Sequence, residues 1–326
     1  MKNQFLIRME EPEDCQIVTD MGGVYYRLFM RPVTSRQKNE MDCMQFHEPA
    51  SGRMVGYHEH NLGNETFFIS QGKFLANCMG RGFLMEPGDI LHIQPWMGHS
   101  FKPLEPESRL NIMFMEIDQQ WAKTTPRMRI QENFPGLFES EGYRARARGA
   151  GDSPGIRTQP IQDEFPKDQV PQLRADGYGI RDHEYDGIKL QLKIAKYETD
   201  GVKEVWDLLM KPGFFCEWDD FFPEWRVFYV RSGKLRCWVK TGVDETLEFD
   251  AVAENIISIP PQTPFGFKVI EGGSVYDMDC GARLQDLCEE LDTRFVNTPE
   301  LKSDKPAILD LCKTFGLNIT DIGYKG

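Results

Sequence analysis

Two copies of one strand-rich block constrain this chain more than any other feature. "TFFISQGKF" (Thr66 to Phe74) lies on "VFYVRSGKL" (Val227 to Leu235), with Gly72 over Gly233 and Lys73 over Lys234. Downstream, "GDILHIQP" (Gly88 to Pro95) lies on "ENIISIPP" (Glu254 to Pro261). The spacing between blocks differs by five residues, absorbed around "KTGVDETLEFDAVAEN". A repeat of about 160 residues means two copies of one domain, since solenoid units are much shorter.

Both copies read as strands. From about Glu40 to Ile117, and again from Ile188 to Asp279, short apolar runs rich in aromatic and β-branched residues are broken by turns. That texture predicts antiparallel strands and an all-β barrel or sandwich in each half. The first domain is expected over 1–120 and the second over 188–282. Residues 121–187 carry much Gly, Pro, Arg and Asp without a sustained period, which predicts a linker or surface excursion. Within it, Arg144, Arg146 and Arg148 are expected to pair with acidic surface, with anion binding as the alternative. Residues 283–326 read as a helical tail. Leu284, Leu287, Cys288 and Leu291 share a helical face, and "PAILDLCKTFG" gives a second helix with Pro306 near its start and Gly316 past its end.

The chain has only six histidines, and three of them cluster by spacing with one glutamate. His58 and His60 in "GYHEHNLGNE" would share one face of a strand. The turn "NLGN" brings the chain back, so Glu65 opens the neighbouring strand. His99 in "GDILHIQPWMGHSF" follows a second turn. Imidazoles with one carboxylate suit a divalent transition metal better than Ca²⁺ or Mg²⁺. In the ungapped repeat, position 58 falls on Asp219, 60 on Phe221, 65 on Arg226 and 99 on Phe265. The second copy is therefore expected to lack the metal. For His47, His92 and His183 a plain structural role is the expectation.

The intervals resemble the cupin family. Gly52, His58, His60, Glu65 and Gly72 keep every spacing of its first motif, and Gly88 to His99 keeps the interval of its second. The second turn departs from the pattern, with Pro95 one place late, Gly98 directly before His99 and Pro103 where an Asn is usual. The resemblance covers about residues 40–118 by motif and 188–280 by pattern. It implies a bicupin of two double-stranded β-helix (jelly-roll) barrels with a few short helices, and a metal on His58, His60, Glu65 and His99 alone.

Two barrels with one N-terminal metal resemble gentisate-type ring-cleaving dioxygenases. Those generally use three histidines, whereas Glu65 is retained here, as in quercetinase-like cupins. The resemblance implies a metal-dependent dioxygenase acting on an aromatic or dicarbonyl substrate chelated at the metal. Iron is the expected metal for that chemistry, with Mn, Ni, Zn and Cu as alternatives. Glu65 as a base leaves open a redox-neutral isomerase or lyase, and a non-catalytic metal- or ligand-binding cupin is the third reading. Phe67, Trp96, Met97 and Phe101 are candidates to line the substrate cavity. Met113 and Met115, or else Ile112 and Phe114, would line its closing strand. Arg81 and Lys102 are candidates to hold a substrate carboxylate.

Composition narrows the partners. The formal net charge of -13 disfavours nucleic acid and anionic membrane. No apolar run approaches the roughly 20 residues of a membrane span. "MKNQFLIRMEEPEDCQ" has no signal-peptide core, and the eight scattered cysteines contain no CxxC pair. A cytoplasmic protein with reduced thiols is expected. The aromatic run "FFCEWDDFFPEWRVFYV" of the second copy is large enough for an interface, so a homo-oligomer, most simply a dimer, is expected.

Overall fold

The computed structural model describes residues 3–15, 17–20, 24–30, 39–48, 58–60, 64–94, 97–115, 152–154, 172–199, 203–219, 225–278 and 283–325. The chain forms two compact units. The N-terminal unit is Glu11–Gly177, and the C-terminal unit is Tyr178–Gly326 together with Met1–Glu10.

The strands, in chain order, are β1 (Leu6–Arg8), β2 (Ile17–Asp20), β3 (Val24–Met30), β4 (Asn39–Phe46), β5 (His58–His60) and β6 (Asn64–Gln71). Next come β7 (Phe74–Cys78), β8 (Arg81–Met85), β9 (Ile90–Ile93), β10 (His99–Pro103), β11 (Ser108–Met115), β12 (Asp152–Pro154) and β13 (Gln172–Arg174). The C-terminal unit continues with β14 (Arg181–Tyr185), β15 (Ile188–Ile194), β16 (Val205–Met210), β17 (Phe214–Trp218), β18 (Arg226–Val230) and β19 (Lys234–Lys240). Then follow β20 (Thr246–Val252), β21 (Asn255–Ile259), β22 (Phe265–Glu271), β23 (Gly273–Asp277) and β24 (Ile319–Tyr324). Two α-helices, α1 (Leu284–Asn297) and α2 (Lys305–Thr314), precede β24.

Each unit has a seven-stranded and a five-stranded antiparallel sheet. In the N-terminal unit the orders are β13-β9-β6-β11-β4-β3-β2 and β12-β5-β10-β7-β8. In the C-terminal unit they are β1-β21-β18-β23-β16-β15-β14 and β24-β17-β22-β19-β20. Position for position the orders match, so β6 corresponds to β18, β9 to β21 and β10 to β22. The residue ladders match too: Glu65 pairs with Ile93 as Arg226 pairs with Ile259. Gly72 and Gly233 both turn the chain at positive φ, +73° and +85°, a conformation most side chains resist. The expected all-β architecture and its duplication are thus present strand by strand.

The inward faces follow strand parity. Phe67, Leu91, Phe101 and Ile112 belong to the N-terminal core, and Leu208, Phe228, Ile257 and Phe267 to the C-terminal one. In α1 the buried residues are Leu287, Cys288 and Leu291, the stripe expected from the sequence. Pro306 lies in the first turn of α2, whose N-cap Asp304 accepts from Ala307 N–H.

Two expectations about segment character change. Residues 172–187, read as linker, contain β13 and β14. Their ladders are short and polar ("QLR", "RDHEY"), as edge strands often are, so no alternating apolar pattern marks them. The helical tail also ends in a strand: Phe214 pairs with Tyr324 and Cys216 with Ile322, so β24 completes the smaller sheet. Moreover β1 precedes the first copy yet pairs with β21 of the second. β13 precedes the second copy yet pairs with β9 of the first. Each copy thus carries at one edge the strand that precedes the other. Arg144, Arg146 and Arg148 lie outside the described residues. Among the described residues no helix is long and apolar enough to cross a membrane.

Phe5, beside β1, is 3% exposed within the C-terminal core. Phe5→Ala is expected to cost about 3–5 kcal/mol. Hydrogen exchange should quicken in β21 and β18 and stay unchanged in β9; acceleration confined to β9 would contradict the pairing.

Glu204 ties α1 to β16, accepting from Trp206 Nε1 at 2.8 Å and Gln285 N–H at 3.0 Å. Burial pushes its carboxyl up to about 7, outweighing those two bonds. The folded state therefore holds a proton that the unfolded chain releases near 4.5, and stability falls as pH rises from there through 7. The loss is on the order of 3 kcal/mol. Glu204→Gln should flatten the dependence of Tm on pH over that window, and an identical profile in both proteins would remove Glu204 as its cause.

Candidate metal centre

β10 lies between β5 and β7, and its first residue is His99. His99 pairs with His58 on one side and with Cys78 on the other. Two of the predicted ligands thus stand directly across one ladder. β6 belongs to the opposite sheet, and Glu65 near its start pairs with Ile93 and Phe114. The side chains of His58 and His60 lie outside the described residues. Among the described residues no group of three or more His, Cys, Asp or Glu is placed to hold a metal. What the structure describes of the predicted set is the pair Glu65 and His99.

That pair is close and dry. His99 Nε2 stands 2.9 Å from Glu65 Oε2, with side-chain exposures of 0% and 4%. His99 Nδ1 stands 2.8 Å from the Met97 carbonyl oxygen. A carbonyl only accepts, so Nδ1 carries the proton, and in the neutral ring Nε2 presents a lone pair. A lone pair then faces a carboxylate oxygen away from water. The two repel unless a cation, a proton or a metal, sits with them. A donor set of one imidazole nitrogen and one carboxylate oxygen fits a divalent transition metal. The bond from Nδ1 to a backbone carbonyl is the usual way a ligating histidine is oriented.

Apolar side chains close the site. The Phe67 ring lies 5.5 Å from His99 and 4.2 Å from Phe101, and Phe67, Met97 and Phe101 are buried. The ladders also add residues that spacing did not single out. Cys78 pairs with His99 and Leu91 with Phe67. Burial pushes the Cys78 thiol up to about 12, so it stays protonated and forms an apolar wall.

Other candidates fall elsewhere. Met113 pairs with Thr66, one residue out of step with Glu65 and Phe67, so it faces away; of the two parities open in the sequence, the one with Ile112 is correct. Lys102 is exposed and pairs with exposed Leu75, on the face opposite His99 and Phe101. Arg81 is exposed at the start of β8. Neither cation reaches the barrel interior, because each sits on a solvated position. Trp96 and the Met115 side chain lie outside the described residues. His92 Nδ1 meets Thr66 Oγ1 at 2.9 Å, His47 meets Glu107 at 3.1 Å and His183 meets Asp292 at 2.7 Å, which suits the structural roles expected of them.

The second copy fills the corresponding places with different chemistry. Phe265 pairs with Val239 and Trp218 as His99 pairs with Cys78 and His58. Trp218, one residue before Asp219, is therefore the counterpart of His58. The ungapped alignment slipped here because seven steps separate His58 from Glu65 but eight separate Trp218 from Arg226. Arg226 and Phe265 stand where aligned. Trp218 stacks on Phe265, with centroids 5.5 Å apart and planes 13° apart. Arg226 Nη2 bonds Asp277 Oδ2 at 2.7 Å, and its guanidinium lies 5.2 Å from the Trp218 ring and 5.1 Å from Phe228. A cation–π and ion-pair cluster replaces the candidate ligands.

No family model and no curated protein matches the sequence. Solved structures do match in shape. A deletion mutant of the Bacillus subtilis oxalate decarboxylase aligns with a TM-score of 0.50 and 18% identity, over 82% of this chain and 75% of that chain. The same enzyme at pH 4.6 aligns at 0.49 and 16%, over 82% and 74%. The fold is that of a bicupin. At such identity the likeness concerns the fold of the two barrels and nothing finer.

In the second barrel, Asp277→Ala would strand the Arg226 charge in an apolar interior. A loss of about 3–5 kcal/mol in unfolding free energy is expected. The double variant Arg226→Met, Asp277→Leu should recover most of it. Failure of the single variant to lower Tm would mean the pair is solvated.

Proposed function

We propose that the first barrel holds one divalent transition metal on His58, His60, Glu65 and His99, and that it converts a small molecule chelated there through oxygen. The dry contact between Glu65 and His99, with the His99 tautomer fixed by Met97, carries this reading. Bound there, such a metal supplies Lewis acidity and, as iron, the means to engage dioxygen. The chain's own residues do the rest. Met97 orients His99, and Glu65 brings a negative charge and a proton-accepting oxygen. Phe67, Phe101 and Ile112 exclude water and offer an apolar wall to an aromatic or dicarbonyl substrate.

A dioxygenase using iron is the first reading, since apolar walls around a chelated substrate suit it. A redox-neutral lyase or isomerase, with Mn, Ni, Zn or Cu as alternatives to iron, is the second. The retained carboxylate favours it, because Glu65 gives the site a base. Oxalate decarboxylase, the enzyme of similar fold, is itself named for a reaction of that class.

His58→Ala, His60→Ala and His99→Ala should each lose stoichiometric metal by elemental analysis while circular dichroism stays native. Arg226→Met and Trp218→Phe should retain it. Unchanged metal in all three histidine variants would sink the assignment. Oxygen uptake by the Fe(II)-loaded protein with a panel of aromatic diols and dicarbonyl acids supports the first reading. Anaerobic turnover of the same panel supports the second, and tight binding without conversion in either atmosphere defeats both.

A further inference from the structure

The C-terminal unit contains a cavity of about 540 Å³, while the candidate metal lies in the other barrel. Its size falls within the roughly 300–1,000 Å³ that accommodates a drug-sized molecule. Barrel strands form one wall, with Leu190, Leu208, Phe214 and Phe267. The tail forms another, with Leu287 from α1 and Ile319 from β24. The buried end holds Trp218, Arg226 and Asp277, the cluster that stands in place of metal ligands. The exposed end holds Glu184, Asp186, Lys302 and Lys305, charges of both signs on solvated positions.

Charge decides what such a space accepts. Arg226 and Asp277 are the charged residues at its buried end, and they neutralise each other. Cys216, Cys288 and Cys312 line the wall, and burial pushes all three thiols up, so they stay neutral. At the exposed end Lys305 is paired with Asp321, and Lys302 lies 5.7 Å from the Phe295 ring. An ionised ligand would bring an unmatched charge into this interior, at several kcal/mol. A hydroxyl or carbonyl could share the Arg226–Asp277 pair at far smaller cost. Hydrocarbon gains about 25 cal/mol for each Å² it buries.

We propose that the second barrel is a binding site for an uncharged, largely hydrocarbon small molecule carrying at most a hydroxyl or carbonyl, which lies beside Arg226 and Asp277. The site is independent of the metal in the first barrel.

The test uses the full chain and phenylnaphthylamine, a neutral fluorophore. Saturable one-to-one enhancement is expected, displaced by decanol and about tenfold less well by decanoate. Leu208→Trp and Cys216→Trp fill the cavity and should each weaken the probe by about tenfold or more. His99→Ala should leave its affinity unchanged. Should the tryptophan variants misfold, the wild-type chain still decides. Decanol should raise its Tm and slow hydrogen exchange in α1, and decanoate should do neither. Absence of saturable binding, equal competition by decanoate, an unaltered affinity in both folded tryptophan variants, or no response of wild-type α1 to decanol would each overturn the proposal.

Discussion

His99 enters the first barrel from the five-stranded sheet and Glu65 from the seven-stranded one, and they meet 2.9 Å apart, both buried. That contact is unfavourable for a neutral imidazole with its proton on the far nitrogen. It needs a cation, and the barrel is built to keep the two groups together. The β6–β9 and β6–β11 ladders fix the depth of Glu65, while β7 and β5 flank His99 on either side. A shift of one residue in either sheet would turn the side chain outward and separate the pair. The register of these ladders therefore precedes any chemistry.

The second barrel shows that the register can be kept and the chemistry discarded. Its ladders repeat those of the first, with Arg226 opposite Ile259 and Phe265 opposite Val239. The same inward positions now hold a guanidinium, two stacked rings and a carboxylate. Both barrels bury charge near one point, and each must compensate it. The second does so with a residue of its own, through the ion pair of Arg226 with Asp277. In the first, the described residues bring together an imidazole and a carboxylate, whose contact a proton or a metal ion would balance.

Much of this was legible in the sequence, and the rest failed for definable reasons. Glu65 and His99 were readable because hairpin turns fix short intervals, and side-chain parity within a strand is strict. Met113 was unreadable because "LNIMFMEI" is apolar on both faces, so the pattern offers no parity. Trp218 was missed because one extra residue between β17 and β18 leaves no mark in composition. β13 and β24 were missed because their pairing partners are distant in sequence, and β14, although a hairpin with β15, because its own residues are polar.

The tail explains why the second barrel can have an interior to spare. In the first barrel the position corresponding to β24 is taken by β12, "DSP", three residues long. In the second, six residues of β24 follow two helices, and Leu287, Leu291 and Ile319 join the core from that tail. A wall made of helices stands farther from the facing sheet than a paired strand does, since a helix with its side chains is about 10–12 Å across. The extra segment therefore widens the enclosure while supplying apolar surface to line it. The Arg226–Asp277 pair and the tail act on the same interior: one balances its own charge, and the other adds apolar surface to the cavity lining.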